Sequence, residues 1–142
     1  MNVNPRAFRD AAMAHGLSEQ ELDADPIRQF QRWFEETIAQ EIPEPNSMTL
    51  ATVDSQGQPY ARSVLLKLYD ERGFVFFTNY ESRKARQIDD NPRVALLFPW
   101  VALARQVQIT GTAGRISTAE SLKYFLTRPR GSQIGAWASP QS

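Results

Sequence analysis

The stretch that most limits what this chain can fold into runs from Met48 to Asn79, "MTLATVDSQGQPYARSVLLKLYDERGFVFFTN". Segments 48–54, 60–70 and 74–79 are rich in β-branched and aromatic residues. Only the Gly-containing connections "SQGQP" and "ERG" separate them. Connections that short cannot carry a crossover to a parallel neighbour, so the segments predict consecutive antiparallel strands. Two further extended segments follow, 93–101 and 104–117. The second alternates Val107 and Ile109 with Gln106, Gln108 and Thr110.

Helices are predicted around these strands. "DADPIRQFQRWFEETIAQE" (23–41) offers Asp25 as N-cap and Pro26 at the first helical position. Ile27, Phe30, Phe34 and Ile38 recur at helical spacing, and Trp33 widens the stripe. Such an aromatic stripe reads as core packing before it reads as a cofactor box. The two prolines of "EIPEPNS" stop the helix. "SRKARQIDDN" (82–91) predicts a short helix, and Thr118 caps another over 118–128, with Leu122, Tyr124 and Phe125 on its apolar side. Short antiparallel strands with helices at the ends and in one crossover make the fold class α+β, a small barrel or strongly curled sheet. No Gly-x-Gly-x-x-Gly or Walker loop follows a strand, which argues against nucleotide sites of those kinds.

A chain of 142 residues suits one domain. Residues 1–24 read as a variable leader, and 25–142 as the domain itself. Sixteen basic residues balance sixteen acidic ones, which argues against nucleic acid as a partner while leaving room for a small anion held locally. With no cysteine and one histidine, His15, thiol chemistry is absent and a zinc site lacks its ligands, so no metal is expected. No run of signal-peptide or membrane-spanning character stands out, and the composition suits a reducing cytoplasm.

Polar groups concentrate at a few places in this frame. Ser82, Arg83 and Lys84 open the predicted helix at 82–91. A hydroxyl, two cations and the amide groups of a helix N-terminus suit a phosphate, yet an ordinary solvated helix end fits them too. Arg62 and Lys67 interrupt an apolar strand. Five residues apart, they fall on opposite faces unless a bulge intervenes. Gln106 lies in the alternating strand. Lys123, Tyr124, Arg128, Arg130 and Ser132 form another basic group, for which a solvated helix end is the better reading on spacing alone.

Taken together, "RSVLLK", "FFTNYESRKARQIDDNPRVALLFPW", "RQVQITG" and "KYFLTRPRGSQIGAWASPQS" closely resemble the pyridoxine/pyridoxamine 5′-phosphate oxidases, from about Asp25 to the last residue. The resemblance implies an FMN-binding split β-barrel of antiparallel strands with flanking helices. It also implies a homodimer holding flavin at the subunit interface. The activity implied is oxidation of pyridoxamine and pyridoxine 5′-phosphates to pyridoxal 5′-phosphate with O2 as acceptor, releasing H2O2. The cofactor positions it implies are Arg62, Lys67, Phe77, Thr78, Ser82, Arg83, Lys84, Gln106, Gln141 and Ser142. Tyr124, Arg128 and Ser132 would hold the substrate phosphate. Lys67 would also act at the substrate, as the electrostatic and positioning residue of catalysis.

The leader "FRDAAMAHG" lacks the tyrosine of the family's segment, and the family's C-terminal strands, with an Arg-x-His substrate element, do not follow Ser142. The expectation is therefore an N-terminal portion of a longer protein. Alternatives on the same fold are a non-catalytic FMN- or pyridoxal-phosphate-binding module, and a flavoenzyme with another substrate. Related barrels also bind heme or deazaflavin, and His15 in the leader makes heme unattractive.

Overall fold

The computed structural model describes residues 16–120, together with Asp10, Met13, Ala14 and Lys123. Its elements are helix α1 (Pro26–Ala39), strands β1 (Ser47–Val53), β2 (Pro59–Asp70) and β3 (Gly73–Phe76), helix α2 (Arg83–Asp90), and strands β4 (Arg93–Phe98) and β5 (Val107–Thr112). The strands form one five-stranded sheet in the order β3-β2-β1-β4-β5. Residues 118–120 are helical, as predicted, but the cap is Ser117 and not Thr118: the Ser117 hydroxyl oxygen accepts from the Glu120 amide at 3.2 Å, and Thr118 is already inside the helix. The remainder of that helix lies outside the described residues, as do His15, Tyr124, Arg128, Ser132, Gln141 and Ser142. Among the described residues, no helix is long and apolar enough to cross a membrane.

Two compact units make up the chain. The first holds the described residues up to Leu50, with Ser63–Phe76 and Leu96–Ile109. The second holds Ala51–Arg62, Phe77–Ala95 and the described residues from Thr110 onward.

In the first unit, α1 starts as its sequence dictates. The Asp25 carboxylate accepts a hydrogen bond from the Ile27 amide at 2.8 Å, and Pro26 takes the position whose amide needs no partner. The helix buries Phe30 and Thr37, whereas Ile38 is 53% exposed. This corrects the expected stripe. From Phe30 the covered face runs to Phe34 and then Thr37, because a 3.6-residue repeat carries it to position 37. The Thr37 hydroxyl is satisfied by donating to the Phe34 carbonyl at 2.6 Å.

Phe30 is the hub of the aromatic core. Its ring centroid lies 4.9 Å from Phe74 and 5.0 Å from both Tyr69 and Phe98, all edge-on, and 5.6 Å from Trp100. Edge-to-face pairs add about 0.5–1.5 kcal/mol each beyond the area they bury. Trp100 donates its indole N–H to the Pro45 carbonyl at 3.0 Å, so even the polar atom of this buried ring is paired. An ion pair also ties α1 to the rest of the unit. Glu36 on α1 pairs with Arg105, whose guanidinium also lies 5.0 Å over the Trp33 ring.

The β2–β3 hairpin is antiparallel, pairing Leu66 with Phe76 but Leu68 with Val75. Between those pairs β2 advances two residues and β3 one, so Lys67 is the additional residue of a β-bulge. The alternation of coverage along β2 changes phase there. Val64 and Leu66 are the more covered positions before the bulge, and Lys67 and Tyr69 after it.

Strand ends differ from expectation in several places, and β5 stops at Thr112 instead of reaching 117. Proline at 99 ends β4 at Phe98, and β5 begins at Val107 after a 3₁₀ turn over Val101–Leu103. Gln106 therefore precedes its strand and is exposed. Phe77 and Thr78 lie just past β3, which ends at Phe76.

Candidate functional site

The second unit gathers most of the predicted cofactor residues that fall in the described chain. Its helix α2 is positioned by the loop before it. Asn79 accepts the Glu81 amide on its side chain at 2.8 Å and the Ser82 amide on its carbonyl at 3.0 Å, turning the chain into the helix. Ser82 is the N-cap: its hydroxyl oxygen accepts from the Ala85 amide at 3.3 Å and lies 3.1 Å from the Thr78 hydroxyl. Ser82 is 2% exposed, so its hydroxyl is committed to this buried junction.

Behind the cap, Lys84 is buried at 5% exposure, while its neighbour Arg83 is exposed. Arg83 lies over the Tyr60 ring, 5.7 Å from its centroid. Arg62, on β2, is half-buried, and several of its hydrogen bonds go to neutral groups. One terminal nitrogen donates to the Thr52 hydroxyl at 2.6 Å and to the Tyr60 carbonyl at 3.3 Å. The other donates to Gln87 Oε1 at 3.1 Å. The Thr52 hydroxyl donates in turn to Gln87 Oε1 at 2.6 Å, closing a ring of hydrogen bonds.

Arg62, Arg83 and Lys84 thus sit in one unit, and among the described residues no carboxylate forms an ion pair with Arg83 or Lys84. The consequences appear in their proton affinities. Burial, and then the nearby Arg62 charge, lowers the pKa of Lys84. Burial, and then Arg83, lowers that of Arg62. Both effects say the cationic forms are uncomfortable here. A bound anion would relieve the desolvation and the mutual repulsion together, which is the chemistry a phosphate monoester offers.

Ser82, Arg83 and Lys84 therefore meet Arg62, Phe77 and Thr78 within one compact unit. Lys67 and Gln106 belong to the other unit. Thr52, Tyr60 and Gln87 were not foreseen as members of this constellation. Thr52 did carry a signal: it continues the buried alternation Met48, Leu50, Thr52 with a polar residue. Gln87 carried a similar one, lying a turn from Lys84 on the covered side of α2.

Residues 34–142 match the family model of pyridoxamine 5′-phosphate oxidase. The chain belongs to this family. It is 64% identical over 127 residues to the pyridoxine/pyridoxamine 5′-phosphate oxidase of Rubrobacter xylanophilus, covering 89% of this chain and 58% of that protein. With the protein of the same name from Crocosphaera subtropica it shares 58% identity over 136 residues, covering 96% of this chain and 64% of the relative. The chain thus spans about three-fifths of the length of these curated relatives.

Solved structures place the same fold. PhzG from Burkholderia lata, in complex with tetrahydrophenazine-1-carboxylic acid, superposes with a TM-score of 0.83 at 27% identity, covering 89% of this chain and 63% of that one. A pyridoxamine 5′-phosphate oxidase-related, FMN-binding protein from Nostoc punctiforme gives 0.62 at 17% identity, covering 85% and 69%. The α+β fold is that of the split-barrel proteins, as the sequence motifs implied.

Proposed function

We propose that this chain is the cofactor-holding part of an FMN-dependent pyridoxamine/pyridoxine 5′-phosphate oxidase. The observation that carries the reading is the cation cluster of Arg62, Arg83 and Lys84 at the capped start of α2, in a chain of this family. Its buried ammonium suits the phosphate of FMN. Arg62 and Lys84 would hold that phosphate from the protein side, and the exposed Arg83 from the solvent side, where its charge also attracts the anion. Phe77 and Thr78, at the end of β3, would contribute backbone contacts. Ser82 would act mainly by keeping the helix entrance rigid.

When bound, FMN would supply the redox capacity of the reaction, namely hydride acceptance from the substrate carbon and return of the electrons to O2. The balance is amine, O2 and water to aldehyde, ammonia and H2O2, or alcohol and O2 to aldehyde and H2O2. The protein contributes binding and orientation. We assign Lys67 an electrostatic and positioning role, and Gln106, Gln141 and Ser142 contacts to the flavin. Tyr124, Arg128 and Ser132 are assigned to the substrate phosphate, whose binding energy aligns the reacting carbon. The reading includes a homodimer with flavin at the subunit interface, in the cytoplasm.

The test is a flavin titration of the purified chain, followed by pyridoxamine 5′-phosphate under anaerobic conditions. FMN binding followed by bleaching of its visible absorbance supports the oxidase. Binding without bleaching reduces the chain to a flavin-binding module. A folded protein that ignores FMN would sink the phosphate reading altogether. Bleaching by other reduced ring compounds, but not by the pyridoxamine phosphate, would indicate a flavoenzyme with another substrate.

A further inference from the structure

The direction of Lys67 depends on an irregularity of the sheet. In a regular strand, a covered Leu66 would be followed by Lys67 on the open face and Leu68 on the covered one. The bulge reverses this order: Lys67 is half-covered, and Leu68 is 54% exposed. Tyr69 gains from the shift, since it packs on Phe30 at 5.0 Å. The aromatic core therefore accounts for a bulge before residue 69, but not for a lysine at the position the bulge covers. Bulges re-aim side chains beside active sites, and this one re-aims an ammonium.

Asn46, just before β1, grips the strand at that point. Its backbone carbonyl accepts the Leu66 amide at 2.8 Å, and its side-chain Nδ2 donates to the Leu66 carbonyl at 3.2 Å. That carbonyl belongs to the peptide group joining Leu66 to Lys67, a planar unit that also carries the Lys67 amide nitrogen. The orientation of this plane sets where the Lys67 side chain begins. A carbonyl needs a donor, so the carboxamide of asparagine serves here where an ionised aspartate would not. Asn46 is itself held from behind. Trp100, buried in the aromatic core, donates its indole N–H to the carbonyl of the preceding Pro45 at 3.0 Å. Hydrogen bonds thus lead from the core through Pro45 and Asn46 to the peptide plane at Lys67, all within the first unit.

We propose that Asn46 is a positioning residue for Lys67. Its side-chain amide fixes the Leu66–Lys67 peptide plane, and with it the bulge that turns the ammonium to the covered side of β2. Without that bond the bulge is free to slip by one residue and exchange Lys67 with Leu68.

This proposal rests on the role assigned to Lys67 above, and the experiment separates the two. Asn46→Ala, Asn46→Asp, Lys67→Met and the double variant Asn46→Ala/Lys67→Met are made in the full chain. FMN affinity is measured by quenching of flavin fluorescence, and ligand-free stability by urea denaturation. Lys67→Met should weaken FMN about tenfold or more, as loss of a charged contact requires. Asn46→Ala, which removes one neutral hydrogen bond, should weaken it about three- to tenfold. Asn46→Asp keeps the shape but sets an acceptor against the carbonyl, and should be at least as damaging. The double variant should bind FMN no more weakly than Lys67→Met, because Asn46 acts through the lysine. Its urea midpoint should still fall by the amount that Asn46→Ala alone produces. If the alanine variant does not fold, Asn46→Asp takes its place in the cycle. The proposal is overturned if the two losses of affinity multiply in the double variant, as a merely structural asparagine requires. It is equally overturned if folded Asn46→Ala binds FMN within about twofold of the parent. Lys67→Met binding FMN as tightly as the parent removes the role of Lys67 itself, and this proposal with it.

Discussion

Replacing Phe30 by alanine tests whether the aromatic cluster holds the first unit together. Phe30 is 3% exposed, and five ring centroids lie within 4.9–5.7 Å of its own. Truncating a buried phenylalanine costs roughly 3–5 kcal/mol through lost transfer free energy and the cavity left behind. Three edge-on partners, Tyr69, Phe74 and Phe98, are lost at once, which places the expected cost near the top, about 4–5 kcal/mol. That is a large share of the roughly 5–15 kcal/mol available to a domain. With a urea dependence of about 2 kcal/mol per molar, the unfolding midpoint should fall by about 2 M. Tryptophan fluorescence is the natural assay, since Trp100 packs on Phe30 at 5.6 Å. Phe30→Leu, which keeps most of the volume, should cost about 1.5 kcal/mol or less. The reasoning is refuted if the alanine variant loses under about 1.5 kcal/mol, the cost of a volume-conserving swap, or if leucine costs as much as alanine.

Other outcomes follow from the second unit. Because burial lowers the Lys84 pKa below its unfolded value of 10.5, the unfolded chain binds the extra proton as pH rises between the two values. Ligand-free stability should therefore increase over that window relative to Lys84→Met, and a flat difference between the two proteins would disprove it. Saturating FMN, at a hundredfold over its dissociation constant, should stabilise the parent by about 2.7 kcal/mol, and Lys84→Met should lose most of that shift in a thermal melt. Thr52→Val removes a hydroxyl that both accepts from Arg62 and donates to Gln87, and should cost about 1–3 kcal/mol in urea unfolding. Gly57, in the β1–β2 turn at φ 82°, has open space around it, so Gly57→Ala should lose about 1 kcal/mol through backbone strain alone.

Local chemistry made much of the fold legible in the sequence. The Asp25–Pro26 start of α1, the three-strand run from β1 to β3 and the Ser82 cap are all decided by residues within a few positions of one another. What escaped was set by partners distant in sequence or by phase. Ile38 was expected inside, and the helical repeat put Thr37 there instead. The bulge at Lys67 depends on how β3 pairs with β2, so the spacing of Arg62 and Lys67 posed a difficulty that no single-strand pattern could resolve. At the site, the charged residues announced themselves, while Thr52 and Gln87 did not. A neutral residue in a buried ring looks unremarkable until its hydrogen bonds are traced across 35 positions of chain.

The bulge also bears on how this chain can change length. Val64 and Leu66 keep their coverage on one side of Lys67, and Tyr69 keeps its place against Phe30 on the other, because one additional residue lies between them. Remove any one residue from 66–68 and the hairpin can regain an ideal ladder, but one flank must then turn over. Tyr69 would leave the aromatic core, or Leu66 would face outward in its place. An insertion in the "SQGQ" turn only lengthens an exposed loop. Homologous chains should therefore vary in length freely at 55–58 and almost never at 66–68.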